Sequence, residues 1–136
     1  MSKPVIVLIE DDPVQATVLS HSLAPFFKVV QAKNHSMVPA QFDALVSDWT
    51  VPHSWVDFRD GLIRRAIKQG IPVCIHTAGL LDSEAEFRDV PIITKDGMGN
   101  SLIEWLRRVL PLPASKKRRF PAQTLVGWLS GVVGFN

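Results

Sequence analysis

Val5-Ile6-Val7-Leu8-Ile9-Glu10-Asp11-Asp12-Pro13 decides the reading of this chain, because four structural signals follow one another within it. Five consecutive branched apolar residues make a run too short for a helix and lack the alternation of a half-exposed strand. They suit a strand covered on both faces of a parallel sheet. The run ends in three acids. Asp12 can cap a helix and Pro13 suits its first position, so the unit predicts strand, acidic strand end, helix.

The same grammar repeats outward. Phe27-Lys28-Val29-Val30-Gln31, Ala44-Leu45-Val46-Ser47, Val73-Cys74-Ile75-His76 and Pro91-Ile92-Ile93-Thr94 are further short runs rich in β-branched residues. After Pro13, the positions Val14, Val18, Leu19 and Leu23 mark one helical face, closed by Pro25. The second connection, about residues 33 to 43, contains Pro39 and leaves room for only a turn or two. A third helix is expected from Asp60 to Gln69, with Leu62, Ile63, Ala66 and Ile67 buried and Gly70 as terminator. A fourth, short and acidic, runs from Leu80 to Arg88. In the last, Ser101-Leu102-Ile103-Glu104 reads as a capping box ahead of a stripe of Leu102, Ile103, Leu106, Val109 and Leu110. Five strands alternating with five helices predict a doubly wound α/β fold with right-handed crossovers. Such sheets carry their sites at the carboxyl ends of the strands.

The chain has 136 residues, 46% hydrophobic and 21% charged, which fits one soluble domain plus an appendage. The net charge of +2 is uneven: of 15 basic side chains, Lys116, Lys117, Arg118 and Arg119 lie after position 111, where there is no acid, which leaves 11 basic against 13 acidic side chains before it. Residues 1–111 are therefore slightly acidic. We expect them to form the domain, and residues 112–136 a basic linker and an apolar tail. Cys74 is the single cysteine, which excludes an internal disulfide and a thiolate zinc site. The N-terminus has no secretory signal pattern, and a cytoplasmic protein is expected.

Glu10, Asp11 and Asp12 follow the first strand, Asp48 the third, Thr77 the fourth and Lys95 the fifth. Two carboxylates about 4 Å apart repel by about 4 kcal/mol at an effective dielectric near 20. Lys95 supplies one counter-charge, and a hard divalent cation such as Mg²⁺ with oxygen ligands is the natural complement. Each group alone has a bland explanation: strand-end Asp as turn or cap, Thr as strand residue, Lys as solvated charge.

Taken together, Val7-Leu8-Ile9-Glu10-Asp11-Asp12-Pro13, Ser47-Asp48-Trp49-Thr50-Val51-Pro52, His76-Thr77-Ala78 and Lys95 resemble the receiver domain of two-component response regulators, over about residues 4 to 110. The resemblance implies a five-stranded flavodoxin-like sheet of order 2-1-3-4-5. It implies that Asp48 accepts a phosphoryl group from a histidine kinase or histidine phosphotransfer protein, with Mg²⁺ as cofactor. Asp11 would bind the metal directly and Glu10 through water, with Asp48 and the Thr50 backbone carbonyl completing the protein ligands. Thr77 and Lys95 would each bond a phosphoryl oxygen, and Asp12 is left to the helix start. Such a protein assists its own phosphorylation and dephosphorylation but turns over no separate substrate, and signals to a downstream protein. Two positions depart from the pattern: Asp96 follows Lys95 where proline is usual, and Ile92 stands where many relatives have Tyr or Phe. Thr50 and Gly79 occupy the positions that modulate acyl-phosphate lifetime, and a moderate lifetime is expected.

Two rivals come from other classes. One is a receiver-like interaction module that is never phosphorylated; the other is a Mg²⁺-dependent phosphohydrolase, disfavoured because Asp48-Trp49-Thr50 lacks a second acid two residues on. His76 should turn away from the site by strand alternation and pack in the core with one satisfied hydrogen bond. The tail is too short for a DNA-binding domain or a membrane span. Leu125, Val126, Trp128, Leu129, Val132 and Val133 leave three uses: packing on the domain or a second copy, the latter also open to the last helix; a partner groove; or a membrane surface.

Overall fold

A computed structural model describes residues 2–79 and 85–111. Five parallel strands form one sheet: β1 (Val5–Ile9), β2 (Lys28–Gln31), β3 (Ala44–Ser47), β4 (Val73–Thr77) and β5 (Ile92–Thr94). Their order is β2-β1-β3-β4-β5, as the resemblance implied. The chain leaves β1 toward one edge and returns to β3 on β1's other side, so a crevice opens at the carboxyl ends of β1 and β3.

Burial follows the pleat. Ile6, Leu8, Ala44, Val46 and Cys74 face one layer, where they pack with Leu19 and Leu23 of helix α1 (Pro13–Leu23) and with Leu102, Trp105 and Leu106 of helix α3 (Asn100–Val109). Val7, Ile9, Leu45 and Ile75 face the other, against Phe58, Leu62, Ile63 and Ala66 of helix α2 (Val56–Lys68). β1, β3 and β4 are apolar without alternation because helices cover both faces. β2 and β5 form the partly exposed edges. Cys74 is fully buried, and burial pushes its thiol pKa up, consistent with a small hydrophobe.

Several expectations need correction. Among the described residues there are three α-helices, not five. The second connection holds a 3₁₀ turn at His35–Met37, within the turn or two expected; the described part of the fourth holds a 3₁₀ turn at Ala85–Phe87, and the rest of the helix expected from Leu80, residues 80–84, lies outside the described set. α2 starts at Val56 instead of Asp60, preceded by a 3₁₀ turn at His53–Trp55. That places Phe58 and Arg59 on its buried face, while Ile67 is half exposed. Val14 is also exposed. The capping box does not form. Gly99 precedes α3 with φ +81°, and Asp96 Oδ2 accepts from the Ser101 backbone N–H and hydroxyl at 2.9 and 2.6 Å. The helix is therefore capped from the loop before it. The Gly70 terminator and the Asp12 cap are present: Gly70 has φ +71°, and Asp12 Oδ1 accepts from Val14 N–H at 2.9 Å. The basic linker and tail, 112–136, lie outside the described residues.

Candidate functional site

β1 delivers Glu10 and Asp11 at its carboxyl end, and β3 delivers Asp48, whose N–H donates to the Ile9 carbonyl at 2.9 Å. This bond extends the β1–β3 ladder by one rung and sets Asp48 beside the acidic end of β1. Thr77 closes β4 in register with Thr94, and the Lys95 N–H donates to the Thr77 carbonyl at 2.9 Å. Lys95 is thereby held one step past the last paired residue of β5, where its side chain can reach back across the strand ends.

It does reach. Lys95 Nζ donates to Asp48 Oδ2 at 2.7 Å and to Glu10 Oε1 at 2.8 Å. Glu10 and Asp48 are buried, while Asp11 is exposed at the mouth. Burial is the main influence raising the Glu10 pKa, the Lys95 hydrogen bond opposes it, and the Asp48 charge adds to it. Burial works against the Lys95 ammonium as well, but its bonds to Asp48 and Glu10 outweigh that and hold its pKa above the usual lysine value. One cation shared between two buried acids leaves the edge electronegative.

Glu10, Asp11 and Asp48 each offer a carboxylate oxygen within 4.8 Å of the others. An octahedral Mg²⁺ with bonds of about 2.1 Å places its ligands about 3 Å apart when adjacent and about 4 Å when opposite. An all-oxygen donor set at this spacing fits that ion, with Asp11 open to solvent for the waters that Mg²⁺ retains. Thr50 is exposed in the same loop, and its N–H donates to Asp48 Oδ1 at 3.2 Å. The Asp12 carboxylate is engaged at the start of α1, while its backbone N–H donates to Glu10 Oε2 at 3.2 Å. All the expected residues thus come to one sheet edge.

Two residues behave differently from expectation. His76 is buried as foreseen, but neither ring nitrogen has a hydrogen-bond partner. Burial, aided by the nearby Lys95 charge, lowers its pKa to about 4, so the imidazole is neutral. Arg59 falls one residue outside the helix expected from Asp60, but α2 begins at Val56 and takes it in. It is 5% exposed, its guanidinium lies 3.8 Å from the Trp49 ring centroid, and Nη1 donates to the Trp49 carbonyl. The available signal was its spacing, three before Leu62 and four before Ile63, which continues the buried stripe of α2.

No family model and no curated protein matches this chain. Solved structures do. The chain is similar in fold to the chemotaxis protein CheY4 of Vibrio cholerae, with 18% identity, a TM-score of 0.63, and coverage of 80% of this chain and 100% of that one. It is similar to the response regulator TrrA of Thermotoga maritima in complex with Mg²⁺-BeF, at 18% identity and TM-score 0.59, covering 81% and 100%. It is also similar to a structure from R. sphaeroides of the P1 domain of CheA3 in complex with CheY6, at 21% identity and TM-score 0.56, covering 80% and 98%. The fold is that of response regulator receiver domains.

Proposed function

We propose that this protein is a receiver that accepts a phosphoryl group on Asp48 with the help of Mg²⁺. The observation that carries the reading is the convergence of three carboxylates within 4.8 Å with a lysine bonded to two of them, Asp48 and Glu10. A purely structural strand end has no need to concentrate like charges in this way.

Asp11 and Asp48, with Glu10 through water and the Thr50 carbonyl, would hold the ion, which supplies neutralisation of the phosphoryl oxygens. In the transfer, an Asp48 carboxylate oxygen forms the new O–P bond while the P–N bond to a donor imidazole breaks and its electron pair returns to the ring. The chain's part is positioning and charge compensation, which is what phosphoryl transfer mainly asks of a protein. Lys95, now bonded to Asp48, would turn its ammonium to an incoming phosphoryl oxygen. Thr77, at the end of β4, would bond another. Donors would be histidine kinases or histidine phosphotransfer proteins; the neighbour solved with the P1 domain of CheA3 supports a protein partner for this fold. The TrrA complex with Mg²⁺-BeF supports the cofactor. Output would pass to a downstream protein through altered contacts.

Incubation with acetyl phosphate and Mg²⁺, followed by intact-mass measurement, tests this. One phosphoryl group should be gained by the wild type and none by Asp48→Asn. An unlabelled wild type would overturn the reading in favour of a non-phosphorylated interaction module, and multiple turnover of a phosphate ester would favour a phosphohydrolase.

A further inference from the structure

Arg59 sits at the end of the first turn of α2, where a helix dipole disfavours a cation, and it is almost wholly removed from water. A buried guanidinium is costly unless its donors are met. Its Nε bonds Asp60 Oδ1 at 2.9 Å, its plane lies over the Trp49 ring, and its Nη1 bonds the Trp49 carbonyl. Two of these three contacts are with the residue that follows Asp48. The Trp49 ring is itself held edge-on by the buried Phe87, centroids 6.2 Å apart.

The peptide between Trp49 and Thr50 is the key unit. Being planar and trans, it carries its C=O and N–H on opposite sides, so fixing one aims the other. Its oxygen is on Arg59, and its N–H donates to Asp48 Oδ1 at 3.2 Å. We propose that Arg59 is a positioning residue for Asp48: through this one peptide plane it aims the Thr50 N–H at the carboxylate and fixes the loop bearing the Thr50 carbonyl. The consequence for phosphorylation rests on the reading of Asp48 as phosphoacceptor, whereas the geometric effect does not.

Amide hydrogen exchange and acetyl phosphate labelling with Mg²⁺, run on wild type, Arg59→Met and Arg59→Lys, separate the two. Arg59→Met should speed exchange at Thr50 on the order of tenfold while Val46, in the β3 core, stays protected. Its labelling should slow by about tenfold or more, as expected when a reacting group loses its alignment. Arg59→Lys, which keeps a cation but not the bidentate fork, should fall between. Wild-type exchange at Thr50 in Arg59→Met would overturn the proposal whatever the labelling shows. If the wild type takes no label, exchange alone decides. If Arg59→Met loses protection at Val46 as well, the comparison of Thr50 with Val46 in Arg59→Lys decides, and equal change at both sites overturns the proposal.

Discussion

His76 places two unpartnered ring nitrogens in the interior beside the site. Because its folded pKa of about 4 lies below the ordinary 6.5, an unfolded chain takes up the proton first. Stability is therefore unaffected above the ordinary value and falls as pH drops from there toward 4, by on the order of 2 kcal/mol. Denaturant titrations between neutral pH and pH 4 should show that loss in the wild type and not in His76→Leu. At neutral pH His76→Leu should be as stable as the wild type or more so, since it removes buried polar atoms that nothing satisfies. Lys95 has the opposite sign: its folded pKa is raised, so its stabilisation is complete below the ordinary lysine value and is lost as pH rises through the folded one. Lys95→Met should leave Glu10 and Asp48 facing each other without a counter-charge. A lower melting temperature that Mg²⁺ restores is the expected outcome, and a variant as stable as wild type without the ion would refute it.

The start of α3 shows how an element can be bounded by residues that its own sequence does not announce. Ser101 and Glu104 have the spacing of a capping box, yet Ser101 instead donates to Asp96. Asp96 follows the site lysine directly, so one residue both ends the β5 loop and starts the helix. Its pKa is lowered chiefly by the Ser101 bonds. The stabilisation it gives is present above the ordinary Asp value and disappears as pH falls through the lowered one. Asp96→Ala should melt earlier than wild type at neutral pH, with the gap closing in strong acid; a gap independent of pH would mean the carboxylate is not the cap. Gly99 is the second fixed point. Its φ of +81° disfavours any side chain, and an added Cβ would lie 2.8 Å from Leu19 Cδ2, part of the buried layer between α1 and α3. Gly99→Ala should cost about 2 kcal/mol or more in denaturant titrations. A neutral substitution would show that α1 and α3 can separate freely at this end.

Taken as a whole, the molecule gathers charges from the ends of three strands, β1, β3 and β5, at one sheet edge, so a cation that fits them should stabilise the entire fold. Mg²⁺ at 100 times its dissociation constant should add about 2.7 kcal/mol, read as a rise in melting temperature. Trp49 emission should change in parallel, and both effects should weaken in Asp11→Asn. Flat titrations by both readouts would count against the metal site. Much of this was legible in the chain order. The runs at β1, β3 and β4 are apolar without alternation because both faces are covered, and a polar residue at the end of such a run must lie at the sheet edge. Hence chain order alone places Glu10, Asp11, Asp48, Thr77 and Lys95 together. Local chemistry likewise foretold the Asp12 cap and the Gly70 stop, which depend only on neighbours in sequence. What depended on distant neighbours was not legible. Ile67 and Val14 match the helical period, yet no neighbouring element among the described residues buries either side chain. Ser101 prefers an acid outside its helix, and His76 finds no partner where one was expected. Arg59 lies on the buried face of α2 because the helix begins four residues earlier than its polar residues suggest. Sequence by itself determined which residues end the strands, since burial and pleat leave a periodic trace in the chain. Only the tertiary structure decided which groups touch there, since a hydrogen bond between residues as far apart as Lys95 and Glu10 leaves no such trace.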